Sequence, residues 1–250
     1  MFEIDGVVLY QSTITISGVT IEKGAATFGG GIYNGGTLTI NDSTVSENGA
    51  YCVTDECFTG GGGIGNSGTL TINRSTISGN KVTCKLKCFV EGGGIFNNRT
   101  LTIYNSTISG NRAVGQYSSG GGIANGIFGN DGTVTLQNSI VANNSARVGA
   151  NCLYTMTSNG YNLSSDNTCS FSGPGDMDNT DPMLGTLGNY GGPTQTIPLL
   201  SGSPAIDAGN PGGCTDSNGH LLTTDQRGQP RPDPEDTGGC DMGAYEGQSD

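Results

Sequence analysis

Chemistry in this chain would have to come from carboxylates, because Asp and Glu number 22 against 10 Lys and Arg and a single His. In the repeating part of the chain the acids include Asp42, Glu47, Asp55, Glu56, Glu91 and Asp131. They stand in different columns of the repeat. No pair is therefore held at the fixed separation that glycoside hydrolysis asks of two carboxylates. A polysaccharide lyase needs a Lys or Arg base beside its acidic sugar, commonly with Ca²⁺, and ten cations are a thin supply. Catalysis is the lesser reading, with a lyase or glycosidase as the class it would take.

Two acidic stretches could hold a cation. Asp176, Asp178 and Asp181 form one, and Asp216 with Asn218 the other. Both offer oxygen ligands at close spacing, but neither matches a complete twelve-residue calcium loop. No cofactor is expected; Ca²⁺ is the ion these spacings would suit. Asp207, Asp225, Asp241 and Glu246 fall close in sequence to Arg227 and Arg231. That combination predicts a structural ion-pair knot, with Arg227 as the fork-shaped donor. His220 stands alone and is expected at the surface.

Eight cysteines with one histidine and no paired CxxC spacing do not suit a zinc finger. An even count fits disulfides in an oxidising compartment. Cys52 and Cys57 lie in one insert and Cys84 and Cys88 in an equivalent one; Cys152 with Cys169 and Cys214 with Cys240 each bracket a later segment. In the inserts, bridges within a loop and bridges between loops both meet the distance requirement. The within-loop pairing is favoured, since each insert has its own pair. The net charge of -12 argues against nucleic acid and against anionic membranes. No run approaches the roughly 18 apolar residues of a membrane span. Residues 1–5 have no basic n-region, so an exported chain would have lost its signal peptide or be an excised domain.

The elements that must position these residues are repeats. Residues 29–48 recur at 61–80, at 92–111 and more loosely at 120–144; Ile40, Ile72, Ile103 and Leu136 are 32, 31 and 33 apart. Such a period means stacked units. Each unit reads as three short strands, the first around Ile32, Ile64, Ile95 and Ile123, the second Thr-Leu-Thr-Ile, the third Ser-Thr-Val/Ile-Ser. A degenerate unit at residues 7–21 makes about five coils. Alternation puts Leu38 and Ile40 inside and Thr37 and Thr39 outside. Gly sits where the chain turns or packs closely. The Asn columns (Asn34, Asn66, Asn97, Asn125; Asn48, Asn80, Asn111, Asn144) belong at corners, where Asn tolerates left-handed backbone and builds ladders. Sequons at Asn41, Asn73, Asn98 and Asn105 arise from the repeat itself.

Two outward arrays could bind something. Thr37, Thr39, Thr69, Thr71, Thr100 and Thr102 form columns at strand spacing, as on an ice-binding face; the simpler reading is that Thr forms solvated strands well. Phe58 and Phe89 end the two inserts and are expected to stack as a contact ridge.

Residues 1–150 read as coils with variable inserts. After about Asn151 the repeat stops, and residues 151–250 read as an irregular, disulfide-stapled cap over the C-terminal end of the stack. This tail holds, in order, Asn159-Gly-Tyr-Asn-Leu163, Asp181-Pro-Met-Leu-Gly185, Asn189-Tyr-Gly-Gly-Pro193, Gly202-Ser-Pro-Ala-Ile-Asp207, Asp225-Gln-Arg-Gly228 and Cys240-Asp-Met-Gly-Ala-Tyr-Glu246. With the repeats upstream, these motifs resemble the choice-of-anchor Q domain family of bacterial surface proteins. The resemblance implies an all-β, right-handed parallel β-helix (a solenoid), export, and attachment by a variable C-terminal anchor. It transfers no catalytic motif. No anchor is visible at residues 247–250, and the Cys pairs of the inserts depart from the plainer family repeat. The expected function is a secreted or cell-surface structural or adhesive module that contacts a glycan or a protein. The alternative is a filament subunit binding copies of itself through a poorly capped first coil.

Overall fold

A computed structural model of the chain describes residues 7–54, 57–85, 87–126, 132–234 and 239–248. The described residues are strands, turns and irregular segments, without a helix. The repeat winds into a parallel β-helix of about four turns, with an incomplete turn at its start and a shortened one at its end.

The long strand Ile32–Asn41 sets the register. In later turns it divides, as Ile64–Asn66 with Thr69–Asn73 and Ile95–Asn97 with Thr100–Tyr104. A second sheet stacks Thr20–Glu22, Thr44–Ser46, Thr76–Ser78, Thr107–Ser109, Ile140–Ala142 and Leu163–Ser164. A third stacks Gly49–Cys52, Lys81–Cys84 and Arg112–Val114, and a fourth Phe58–Gly60, Phe89–Glu91 and Tyr117–Ser119. Every pair named is parallel and joins like positions, for example Ile40 to Ile72 and Ile72 to Ile103. The inward Ile and Leu of successive turns make one continuous buried core. No single turn could enclose these side chains, so each turn is stable only on its neighbours.

Two features hold the turns at a common spacing. Asn34, Asn66, Asn97 and Asn125 point inward and donate Nδ2 to the next Oδ1 at 2.7, 2.7 and 2.9 Å. A second ladder runs Asn48, Asn80, Asn111, Asn144 and Asn151 at 2.9–3.1 Å. The left-handed residues expected at these Asn lie elsewhere, at Asp42, Arg74, Asn105 and Asn138 and at Glu47, Gly79, Gly110 and Asn143. The ladder Asn keep ordinary backbone because their amides serve the core. The second glycine of each Gly-Gly-Gly is set by contact between turns. A Cβ at Gly30, Gly62 or Gly93 would overlap the carbonyl oxygen of Gly62, Gly93 or Gly121 on the next turn.

The tail differs from an end cap. The winding continues past residue 151, since Cys152–Leu153, Thr157–Ser158 and Leu163–Ser164 pair in parallel with the turn before. Met156, Cys169 and Phe171 then close the core at that end. The chain beyond runs back along the outside of the second sheet. Ala244 N donates to Thr107 Oγ1 at 3.1 Å, Thr76 Oγ1 to Gln226 Oε1 at 2.7 Å, and Thr44 Oγ1 to the Gln195 carbonyl at 2.6 Å. Thr44, Thr76 and Thr107 point outward by alternation, yet all are buried under this strap. The cap expected over the end is therefore a lateral cover, because the end is already sealed and these hydroxyls need partners.

Disulfides join Cys52–Cys57, Cys84–Cys88, Cys152–Cys169 and Cys214–Cys240. Four disulfides fit an oxidising, extracellular environment. Among the described residues no helix is long and apolar enough to cross a membrane.

Candidate functional site

The fourth sheet carries the site. Its central strand Phe89–Glu91 pairs with Phe58–Gly60 on one side and Tyr117–Ser119 on the other, placing Phe58, Phe89 and Tyr117 in one outward column. Alternation turns Val90 and Ser118 inward, where both are buried. The rings of Phe89 and Tyr117 stack with centroids 5.0 Å apart and planes at 21°, and remain half exposed.

Phe58 does not complete the expected ridge with Phe89. Its ring packs against Phe96 at 5.3 Å and Phe28 at 6.1 Å. Glycines make the room: a Cβ on Gly60 would lie 3.0 Å from the Phe96 ring, and one on Gly65 2.6 Å from Phe28. The exposed pair is thus Phe89–Tyr117. Sequence reasoning missed Tyr117, although it stands three residues before Gly120 as Phe89 stands three before Gly92.

Beyond Tyr117 the column ends. Arg112 bridges to Ser145 and Ser119 to Val148, so two residues, Ala146 and Arg147, replace the six between Arg112 and Ser119. The fifth turn therefore has no residue for the aromatic column. The notch is an open groove of about 440 Å³, lined by Phe89, Glu91, Tyr117, Arg147, Val148 and Tyr154, with serines between.

Glu91 points outward by alternation yet is only 7 % exposed. Burial pushes its carboxyl up to about 7, partly offset by a hydrogen bond from Ser119. Its Oε2 has no hydrogen-bond partner among the described residues. Arg147 is exposed and makes no ion pair among the described residues. Glu91 is the sole carboxylate among the residues lining the groove, so the two-carboxylate geometry of a glycosidase is not assembled there. An aromatic platform beside one unfilled acceptor suits binding.

The other sequence candidates fall elsewhere. Thr37, Thr69 and Thr100 form an exposed column, and Thr39, Thr71 and Thr102 a half-buried one, in strict register. A smaller polar groove lies where the turn at Asp216, Ser217 and Asn218 meets Thr39, Thr71 and Arg74. Asp216 caps its own turn, accepting from the N–H of Asn218 at 2.8 Å and of His220 at 3.0 Å, and His220 is exposed. Asp176 accepts from Asn162 N and Gly173 N, Asp178 from Phe171 N, and Asp181 from Met183 N. Each acid thus binds backbone. Among the described residues no group of three or more His, Cys, Asp or Glu is placed to hold a metal ion. Asp55, Glu56 and Asp131 lie outside the described residues.

The tail network is buried. Arg227 pairs with Asp225 at 2.7 Å, reaches the Glu246 carbonyl, and lies 3.6 Å over the Tyr245 ring. Arg231 pairs with Glu246 at 2.7 Å, so a second arginine shares the role expected of Arg227. Asp241 accepts from Asp207 N at 2.9 Å and Gly247 N at 2.6 Å. These bonds fasten the strap to itself. Asn105 is buried with its amide on the Thr215 carbonyl, and Asn73 donates to Asn41.

No family model matches this chain, and neither the curated proteins nor the solved structures contain a match to it.

Proposed function

We propose that this chain is a secreted or surface-displayed β-helix module that adheres to a glycan through the Phe89–Tyr117 groove. The observation behind this reading is the half-exposed stacked pair beside a buried acceptor without a hydrogen-bond partner among the described residues. Aromatic faces hold the C–H face of a sugar without needing charge, and solenoid flanks offer extended contact surfaces. Four disulfides and a net charge of -12 suit an exported, soluble surface. The resemblance of the tail to choice-of-anchor Q domains supports display at a bacterial surface through a C-terminal anchor. The test is a glycan array probed with the wild-type chain and with Tyr117→Ala. Binding of the wild type, lost in the variant, is expected. Identical patterns for both would refute the reading.

Self-assembly is the second reading. The strand Val7–Ser17 pairs along one edge, with Ile32–Asn41, and has no partner on its other edge among the described residues. A free parallel edge can add another chain. Sedimentation that finds monomers alone at high concentration would exclude it.

A further inference from the structure

We infer that the groove takes a neutral pyranoside, stacked on the free face of Tyr117, with one sugar hydroxyl donating to the Glu91 carboxyl. This rests on the glycan reading above and names the ligand class.

The repeat itself skips one position of this column. Phe58, Phe89 and Tyr117 occupy successive rungs of one column, and the fifth turn skips that position because two residues stand where the fourth turn has six. Rungs are about 4.8 Å apart, so a flat ring laid on Tyr117 continues the column by one rung. Phe89 covers one face of Tyr117 at 5.0 Å. The groove lies toward Arg147, Val148 and Tyr154, which belong to later turns.

Glu91 supplies the polar half. Its residue is buried, one carboxyl oxygen lacks a partner among the described residues, and it lines this groove. A buried acceptor without a donor is costly to fold around, by about 1–3 kcal/mol. A hydroxyl brought by a ligand removes that penalty. A carboxylated or sulfated sugar would work against the chain's net charge of -12. A cationic ligand would meet Arg147 at the rim. A neutral ring with hydroxyl donors avoids both conflicts.

The experiment is ligand-observed NMR with methyl pyranosides of glucose, galactose, mannose and N-acetylglucosamine, beside glucuronic and galacturonic acids. The variants are Tyr117→Leu, which keeps apolar bulk without the ring, and Glu91→Leu, which removes the acceptor at similar size. Melting curves confirm that both fold. Expected is binding of at least one neutral pyranoside, abolished by Tyr117→Leu and weakened about 10- to 100-fold by Glu91→Leu, the cost of losing a hydrogen bond to a carboxylate. Preference for the uronic acids would overturn the neutral class. Neutral binding unchanged in Glu91→Leu would overturn the role of Glu91 and leave the glycan reading standing. Failure of every sugar to bind would overturn both.

Discussion

Gln226 accepts a hydrogen bond from the Thr76 hydroxyl at 2.7 Å, tying the returning strap to the third turn across 150 residues of chain. Its Nε2 lies within reach of Thr194 Oγ1 at 2.9 Å and Thr44 Oγ1 at 3.0 Å. All four side chains are buried. Replacing Gln226 by Ala takes the acceptor from the buried Thr76 hydroxyl and a donor from those of Thr44 and Thr194. The expected loss is about 2–4 kcal/mol, read as a lower denaturant midpoint. A loss below about 0.5 kcal/mol, the level of an ordinary surface change, would mean that the strap is only loosely seated.

Asn80 has a heavier duty than its type suggests. It accepts from Asn48 N and Asn48 Nδ2, each at 3.0 Å, and donates to Asn111 Oδ1 and the Val45 carbonyl, each at 2.9 Å. Asn80→Ala removes four buried bonds. It is expected to destabilise the chain by about 3–5 kcal/mol, since each orphaned buried group costs about 1–3 kcal/mol. Asn98→Ala is the comparison, because Asn98 lies outside both ladders and is half-buried. Equal losses in the two variants would deny the ladder a special role.

What could be read in the sequence was whatever repeats locally. Leu38 and Ile40 alternate with Thr37 and Thr39, and the structure buries the first pair and turns the second outward. Register too was legible, because identical residues recur at nearly constant spacing. The burial of Thr44, Thr76 and Thr107 was not, since what covers them lies some 140–150 residues further along. A Ser/Thr-rich strand looks solvated until the strap is known. Phe58 and Phe89 are equivalent in sequence, and their rings part because glycines at 60 and 65 open space for only one of them. Glu91 read as one scattered acid. Its burial depends on the tertiary surroundings of the notch left by the short fifth turn, which alternation alone does not reveal.

The glycine triplets separate close packing from chain flexibility. A Cβ on Gly93 would overlap the Gly121 carbonyl and the Arg112 backbone, neither of which can swing aside. Gly93→Ala should therefore cost about 3 kcal/mol or more, at the upper end of overpacking. Gly49 is the control. Its nearest neighbour to a built Cβ is the Lys81 carbonyl at 3.8 Å, an ordinary contact, and its φ is not positive. Gly49→Ala is expected to be neutral or stabilising by about 0.4–1 kcal/mol through the unfolded state. Thermal unfolding of both proteins makes the comparison, and similar losses would show that these glycines act by something other than contact between turns.

Glu91 makes stability depend on pH in a direction opposite to that of an ordinary ion-paired acid. Its carboxyl is raised from 4.5 to about 7 in the folded chain, chiefly by burial. The folded state then holds the proton more tightly than the unfolded state. Below about 4.5 both states are protonated and the group contributes no slope. Between 4.5 and 7 only the folded state keeps its proton, so stability falls as pH rises. Burial pushes Asp241 and Glu246 the same way, against the pull of Arg231. The melting temperature is therefore expected to be higher at pH 5 than at pH 8. Glu91→Leu should shrink that difference, mainly by raising the value at pH 8. Calorimetry at several pH values decides it: a variant with the wild-type slope would show that Glu91 is hydrated in solution, and the unfilled acceptor in the groove would lose its meaning with it.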